Sequence, residues 1–114
     1  MKKNLLLCII ALCAFQFTSA QILSEWDRAT KRDEILADRF NNLLPKLMDD
    51  TDIDMWLVIS REYNEDPVMR TMLPARWLNA RRRTILVFYR DKAANTIEKL
   101  AVARYDVGEN ITSA

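Results

Sequence analysis

Ile35, Leu36, Phe40, Leu43, Leu44, Leu47 and Met48 recur at steps of three and four, the spacing that gathers side chains into one apolar stripe on a helix. Arg28, Lys31, Arg32, Asp33, Asp38, Arg39 and Asn42 fall largely on the other faces. The pattern predicts a helix over 22–50. Ser24 is placed to cap it, with Glu25 and Asp27 at its positive end. Pro45 lacks a backbone donor and crowds the carbonyl of Asn41, so a kink or a restart is expected there. Asp49, Asp50, Thr51 and Asp52 end the segment.

The period then changes. Met55, Trp56, Leu57, Val58 and Ile59 form an apolar run with no polar alternation, as in a strand covered on both faces. A helix followed by such a strand predicts an α/β layer, with the helix stripe packed on the sheet. Residues 61–66 are polar and precede Pro67, which predicts a loop with Asp66 capping a short helix opened by the proline. Val68, Met69, Met72 and Leu73 give that helix an apolar side, and Pro74 stops it. No period is legible over 75–82. Residues 84–89 are β-branched and aromatic enough for a second strand. A polar turn over 90–95 leads into 96–105, where Ile97, Leu100, Val102 and Tyr105 alternate loosely and predict a hairpin partner. The stretch 108–114 carries no recognisable closing element.

The first twenty residues follow a different logic. Lys2 and Lys3 precede an apolar run over 5–17, broken only by Gln16, and Thr18, Ser19 and Ala20 follow. Basic, apolar, then small is the order of a secretory signal, and the run is short for a membrane span. Cleavage is expected between Ala20 and Gln21, giving a signal peptide at 1–20 and one α/β domain at 21–114. Lipid attachment at Cys8 or Cys13 is disfavoured by the bulky Leu7 and Leu12 before them. The expected product is exported, periplasmic or extracellular, without a stable membrane anchor. Both cysteines leave with the signal, so the mature chain has no disulfide and no thiolate nucleophile. Losing Lys2 and Lys3 from 17 basic residues leaves 15 against 16 acidic ones, a net charge of −1.

Composition narrows the chemistry. The sequence has no histidine, which removes histidine-based triads and the commonest zinc sites. Its single glycine rules out glycine-rich phosphate loops. Near-neutral charge argues against nucleic acid as a partner, although Arg81, Arg82 and Arg83, with Arg76 and Lys92, resemble an anion patch beside Trp77 and Tyr89. Pairing of these arginines with the acidic loop is the expected arrangement. Trp26, Trp56 and Trp77 are expected as core or interface anchors. Ser60 follows a buried strand, but Ile59 and Arg61 flank it where a nucleophile elbow needs small residues. Asp49, Asp50, Asp52 and Asp54 lack the mid-loop glycine and late glutamate of a calcium loop and read as a solvated helix end. The loop after the first strand has the best placement for function, because loops at the ends of strands in α/β sheets line binding crevices. Its Glu62, Glu65 and Asp66 would form a polar lip, or else turn chemistry with ion pairs to Arg61 and Arg70.

Several blocks carry a resemblance: Leu44-Pro45-Lys46-Leu47-Met48, Ile53-Asp54-Met55-Trp56-Leu57-Val58-Ile59, Arg61-Glu62-Tyr63-Asn64-Glu65-Asp66-Pro67-Val68, Leu73-Pro74 and Arg81-Arg82-Arg83-Thr84-Ile85-Leu86-Val87-Phe88. Together they resemble the N-terminal domain of bacterial Xaa-Pro aminopeptidase-like proteins, in the creatinase/aminopeptidase P group of pita-bread metallopeptidases. The resemblance covers about 22–107 and is most specific over 54–68. It implies a mixed sheet flanked by helices, here incomplete. It also implies a separate catalytic domain, absent from this chain, that binds two divalent metal ions and cleaves the bond between an N-terminal residue and proline. No catalytic or metal residue carries over, and no cofactor is expected in this chain. The resemblance implies a homo-oligomer and places Arg61, Glu62, Tyr63, Asn64, Glu65 and Asp66 at a substrate-side or interface position. The partners it implies are the chain's own catalytic domain or a full-length relative, with peptide as the parent enzyme's substrate. The chain would then be a fragment of a secreted hydrolase, or alternatively a stand-alone periplasmic binding or assembly module without activity.

Overall fold

A computed structural model describes residues 22–114, and the expected signal and its cleavage at Ala20 and Gln21 lie outside the described residues. The architecture is mixed α/β: three helices lie on one side of a four-stranded sheet. Helix α1 spans Glu25–Asp38, and a π-helical turn over Arg39–Leu43 joins it to α2 at Leu44–Asp50. Strand β1 spans Met55–Arg61, α3 Pro67–Thr71, β2 Arg83–Asp91, β3 Thr96–Val102 and β4 Thr112–Ser113. The sheet order is β1-β2-β3-β4, antiparallel between the first three strands and parallel between β3 and β4. Among the described residues no helix is long and apolar enough to cross a membrane.

The helical segment begins and ends through local chemistry. Ser24 Oγ accepts the backbone N–H of Asp27 at 3.2 Å, which satisfies one free donor of the first turn. Pro45 follows the π turn, and because Asp38, Leu43 and Leu44 all keep right-handed helical backbone, the segment runs through the proline without restarting, the wider turn relieving the crowding of the ring. Leu36, Phe40, Leu44 and Met48 form the buried stripe. Steps of four over-rotate an α-helix by about 40° each. The wider π turn between α1 and α2 offsets that drift and keeps the four side chains in line. The stripe is narrower than its sequence period suggests, because Ile35, Leu43 and Leu47 remain exposed. At the far end the N–H of Ile53 donates to Met48 O at 2.9 Å and that of Asp52 to Asp49 O at 3.3 Å. This is a Schellman closure with Asp52 in the left-handed position (φ 54°) that glycine usually takes.

The core lies between the helices and one face of the sheet. Val58 from β1, Leu86 and Phe88 from β2 and Ala101 from β3 meet the helix stripe, and Phe88 packs on Phe40 with ring centroids 5.6 Å apart. Each fully buried side chain of this size contributes about 1.5–3 kcal/mol. Trp56 leans on Phe88, and Trp77 is buried with its indole N–H donating to Asp106 O at 3.3 Å. Trp26 stands exposed on the first turn of α1 and takes no part in the core.

Two sequence expectations need correction. The run in β1 is covered on one face only: Val58 and Ser60 are buried, while Met55, Leu57 and Ile59 are exposed. Its apolar residues supply a second face, but nothing in residues 22–114 packs against it. The stretch 108–114 does carry an element that docks on the sheet. Val107 and Ile111 are buried, β4 runs parallel beside β3, and the N–H of Ala114 donates to Ala101 O at 2.9 Å. The missing signal was periodicity, which a two-residue strand is too short to display.

Candidate functional site

The 61–66 loop grows directly out of β1. The backbone of Arg61 pairs with Asn64 as an isolated bridge, and the N–H of Asn64 donates to Arg61 O at 3.1 Å. The turn is therefore tight, with Glu62 and Tyr63 at its tip. Tyr63 takes φ 67°, a left-handed conformation that bulky residues rarely adopt, and its side chain is 98% exposed.

Three anchors hold the turn. Buried Ser60 accepts the N–H of Asp66 on its Oγ at 3.1 Å, so this hydroxyl does structural work, in keeping with its poor setting for a nucleophile. Asp66 Oδ1 accepts the N–H of Val68 at 2.8 Å and caps α3, as the sequence predicts. Glu65 Oε1 accepts the N–H of Ala80 at 3.0 Å, and the N–H of Glu62 donates to Arg82 O at 2.6 Å, which ties the loop to the segment entering β2. Of the six residues singled out from sequence, Glu65 and Asp66 are thus occupied by backbone. Arg61, Tyr63 and Asn64 are exposed, and Glu62 is half-buried.

The expected ion pairing of this loop does not form. Among the described residues, no ion pair joins Arg81, Arg82 or Arg83 to Glu62, Glu65 or Asp66, nor Arg61 or Arg70 to those carboxylates. The loop instead hydrogen-bonds to backbone N–H groups, which meet a carboxylate without ordering a long side chain. The arginines separate by strand geometry. Arg76 and Arg81 line an open hollow of about 440 Å³ with Trp77, Leu78 and Tyr105, while Arg83 starts β2 on its exposed side. Arg76 is itself paired with Asp106 at 3.2 Å.

The acidic helix end is at the opposite end of the sheet. Asp49 receives Arg90 in a two-pronged pair, Nε to Oδ1 and Nη2 to Oδ2, each at 2.9 Å. Arg90 is nearly buried and also donates to Asn95 Oδ1 at 2.7 Å and Thr96 O at 3.3 Å. Lys92 Nζ bridges Asp52 at 2.7 Å and Asp54 at 2.9 Å. The hydrogen bond from Arg90 holds the Asp49 carboxyl below its ordinary range, and that from Lys92 does the same for Asp52. The Lys92 ammonium is held above its usual value by Asp52 and then Asp54. These carboxylates already have cations in Arg90 and Lys92, so the donor set does not fit a pair of divalent metal ions. A groove of about 740 Å³ lies beside them, between α2 and the β2–β3 hairpin, with Lys46, Lys99 and Asp50 on its walls.

The Arg90–Asp49 pair was not anticipated from the sequence, which put residue 90 in a turn. The signal was parity: Thr84, Leu86, Phe88 and Arg90 share the buried side of β2. The second unanticipated feature is the open sheet face described above. No family model matches the chain, and neither a curated protein nor a solved structure matches it.

Proposed function

We propose that this chain is the N-terminal, non-catalytic domain of a secreted Xaa-Pro aminopeptidase-like metallopeptidase, where it helps build the oligomer and shape the substrate site. The supporting observation is the 61–66 turn. Ser60, Glu65 and Asp66 anchor it on the domain, and Tyr63 is held outward at a left-handed φ with almost its whole side chain in solvent. Backbone strain of this kind clusters at active sites, ligand clamps and switch regions. The turn lies in the block where the resemblance to creatinase-type domains is most specific. In this reading the signal at 1–20 directs export. Two divalent metals belong to a separate catalytic domain, and this chain supplies none of their ligands.

The deciding experiment is an immunoblot of source-cell extract with an antibody to residues 22–114. A product several times the 13.3 kDa of this chain supports the proposal. A Xaa-Pro peptide assay on that product then follows, while the 114-residue chain alone shows no turnover with manganese, cobalt or zinc. A band at about 11 kDa, after loss of a leader of roughly 20 residues, overturns it. That result supports the second reading, a stand-alone periplasmic binding or assembly module.

A further inference from the structure

The groove between α2 and the β2–β3 hairpin holds more cations than its carboxylates balance. At about 740 Å³ it lies within the ~300–1,000 Å³ of ligand clefts. Lys46, Arg90 and Lys99 outnumber Asp49 and Asp50 on its walls, and Asp49 is already matched by Arg90. Ile97, Lys99 and Ala101 share the helix side of β3, and Lys99 pairs across the sheet with the core residue Phe88. An ammonium thus stands where the sheet calls for an apolar side chain. It is half-buried, with Nζ 5.7 Å from the centre of the Phe40 ring. Among the described residues no carboxylate pairs with it, nor with Lys46 on the opposite wall. Arg90 also lines the groove and is only 7% exposed. Of its guanidinium donors, Asp49 takes two, Asn95 one and Thr96 O one, which leaves one N–H on Nη1 without a partner among the described residues.

We infer that this groove binds a phosphoryl group, free or carried on a small polar molecule, between the Lys46 and Lys99 ammoniums. The Lys99 ammonium is partly withdrawn from water without a counter-ion, a cost that a bound anion offsets. The planar fork of Arg90 is spent on Asp49, so the two-pronged recognition that suits a carboxylate is not on offer. What remains is two point charges, each with donors in three directions, and the spare N–H of Arg90. That set suits the tetrahedral oxygens of phosphate. Asn41, Asn95 and Thr96 give the rest of the lining neutral donors and acceptors for a hydroxylated body. Asp50 is the opposing group and holds the affinity down. The groove lies at the far end of the sheet from the 61–66 turn, and the inference does not rest on the peptidase reading.

The test follows the backbone amides of the isotope-labelled, full 114-residue chain by nuclear magnetic resonance at constant ionic strength. Inorganic phosphate, glycerol phosphate, glycerol and acetate are added in turn. The two phosphates should shift the amides of Lys46, Thr96 and Lys99 and saturate by about 10 mM, while glycerol and acetate leave them in place. Glycerol phosphate should bind about threefold more tightly than inorganic phosphate, since the groove is larger than the ion. Equal affinities would support the site and assign it to the free ion. Lys99→Met keeps the apolar stem on Phe40 and removes the charge. It and Lys46→Met should each weaken phosphate about tenfold, with the urea midpoint unchanged or raised. Asp50→Asn should tighten it about threefold. Arg81→Gln, at the other end of the sheet, should leave it unchanged. Four results overturn the inference. The first is no saturable shift with either phosphate. The second is acetate binding as tightly as phosphate. The third is loss of binding in Arg81→Gln. The fourth is binding that survives both lysine variants, which would leave Lys99 only the role of a charge guarding the stretch of β3 that β4 does not cover.

Discussion

The two faces of the β1–β3 sheet are built from equally apolar residues, yet only one has been covered. On the helix side, Leu86 and Phe88 are buried beneath Leu36, Phe40 and Leu44, and the polar side chains that enter have partners, as Arg90 has in Asp49. On the other side, Leu57 and Ile59 stand in rows of similar composition, and among the described residues nothing lies above them. A continuous apolar run therefore records that a strand needs cover on both faces. It does not say which part of which molecule provides that cover.

The sharpest way to break this comparison is to truncate one residue on each face. Phe88→Ala should cost about 3–5 kcal/mol, because it removes a ring packed against Phe40 and Trp56 and leaves a cavity. Leu57→Ala, half-exposed in the same sheet, should cost less than about 1 kcal/mol. Urea unfolding of the two measures the difference. Equal losses would mean that the open face is covered within the monomer.

Acid should act next, and on the covered side's locks. The carboxyls of Asp49 and Asp52 are held low by Arg90 and Lys92, and that of Asp106 by the N–H of Gly108, then Ser113 and Arg76. Their folded values lie below the roughly 3.9 of an unfolded aspartate. As pH falls, the unfolded chain takes up protons first, so the stabilisation is complete above about pH 5 and is lost below about pH 4. The urea midpoint should be level from pH 7 to 5 and fall steeply below 4. Asp49→Asn should flatten that fall.

These contrasts also mark what the sequence made legible. Local chemistry was readable: the Ser24 and Asp66 caps and the β2–β3 hairpin each depend on residues a few positions apart. Long-range partners were not. Arg90 meets Asp49 across 41 positions, and Glu65 meets the N–H of Ala80 rather than an arginine. The short β4 exists only because β3 offers a parallel edge. Within the candidate site, the position of the turn was legible, but the division of its residues into anchors and exposed tips was not.

A smaller effect separates those two groups within the 61–66 turn. Asp66→Ala removes the cap of α3 and should cost about 1 kcal/mol by urea unfolding. Asn64→Ala, which leaves every side-chain hydrogen bond of the loop in place, should fall within about 0.5 kcal/mol of the parent. If the Asn64 change proved the larger, the anchors would have been assigned to the wrong side of the turn.

The smallest expected change is at Tyr63, where two backbone terms oppose each other. Glycine there would relieve about 1–2 kcal/mol of left-handed strain and lose about 0.5–1 kcal/mol in chain entropy. Since the ring is 98% exposed, little packing is lost with it. Tyr63→Gly should therefore leave folding stability unchanged or raise it by less than about 1 kcal/mol. On the proposed reading, the same variant should weaken binding of this domain to a catalytic domain or to peptide. A large loss of stability instead would place Tyr63 among the anchors and remove the turn's claim to be a contact surface.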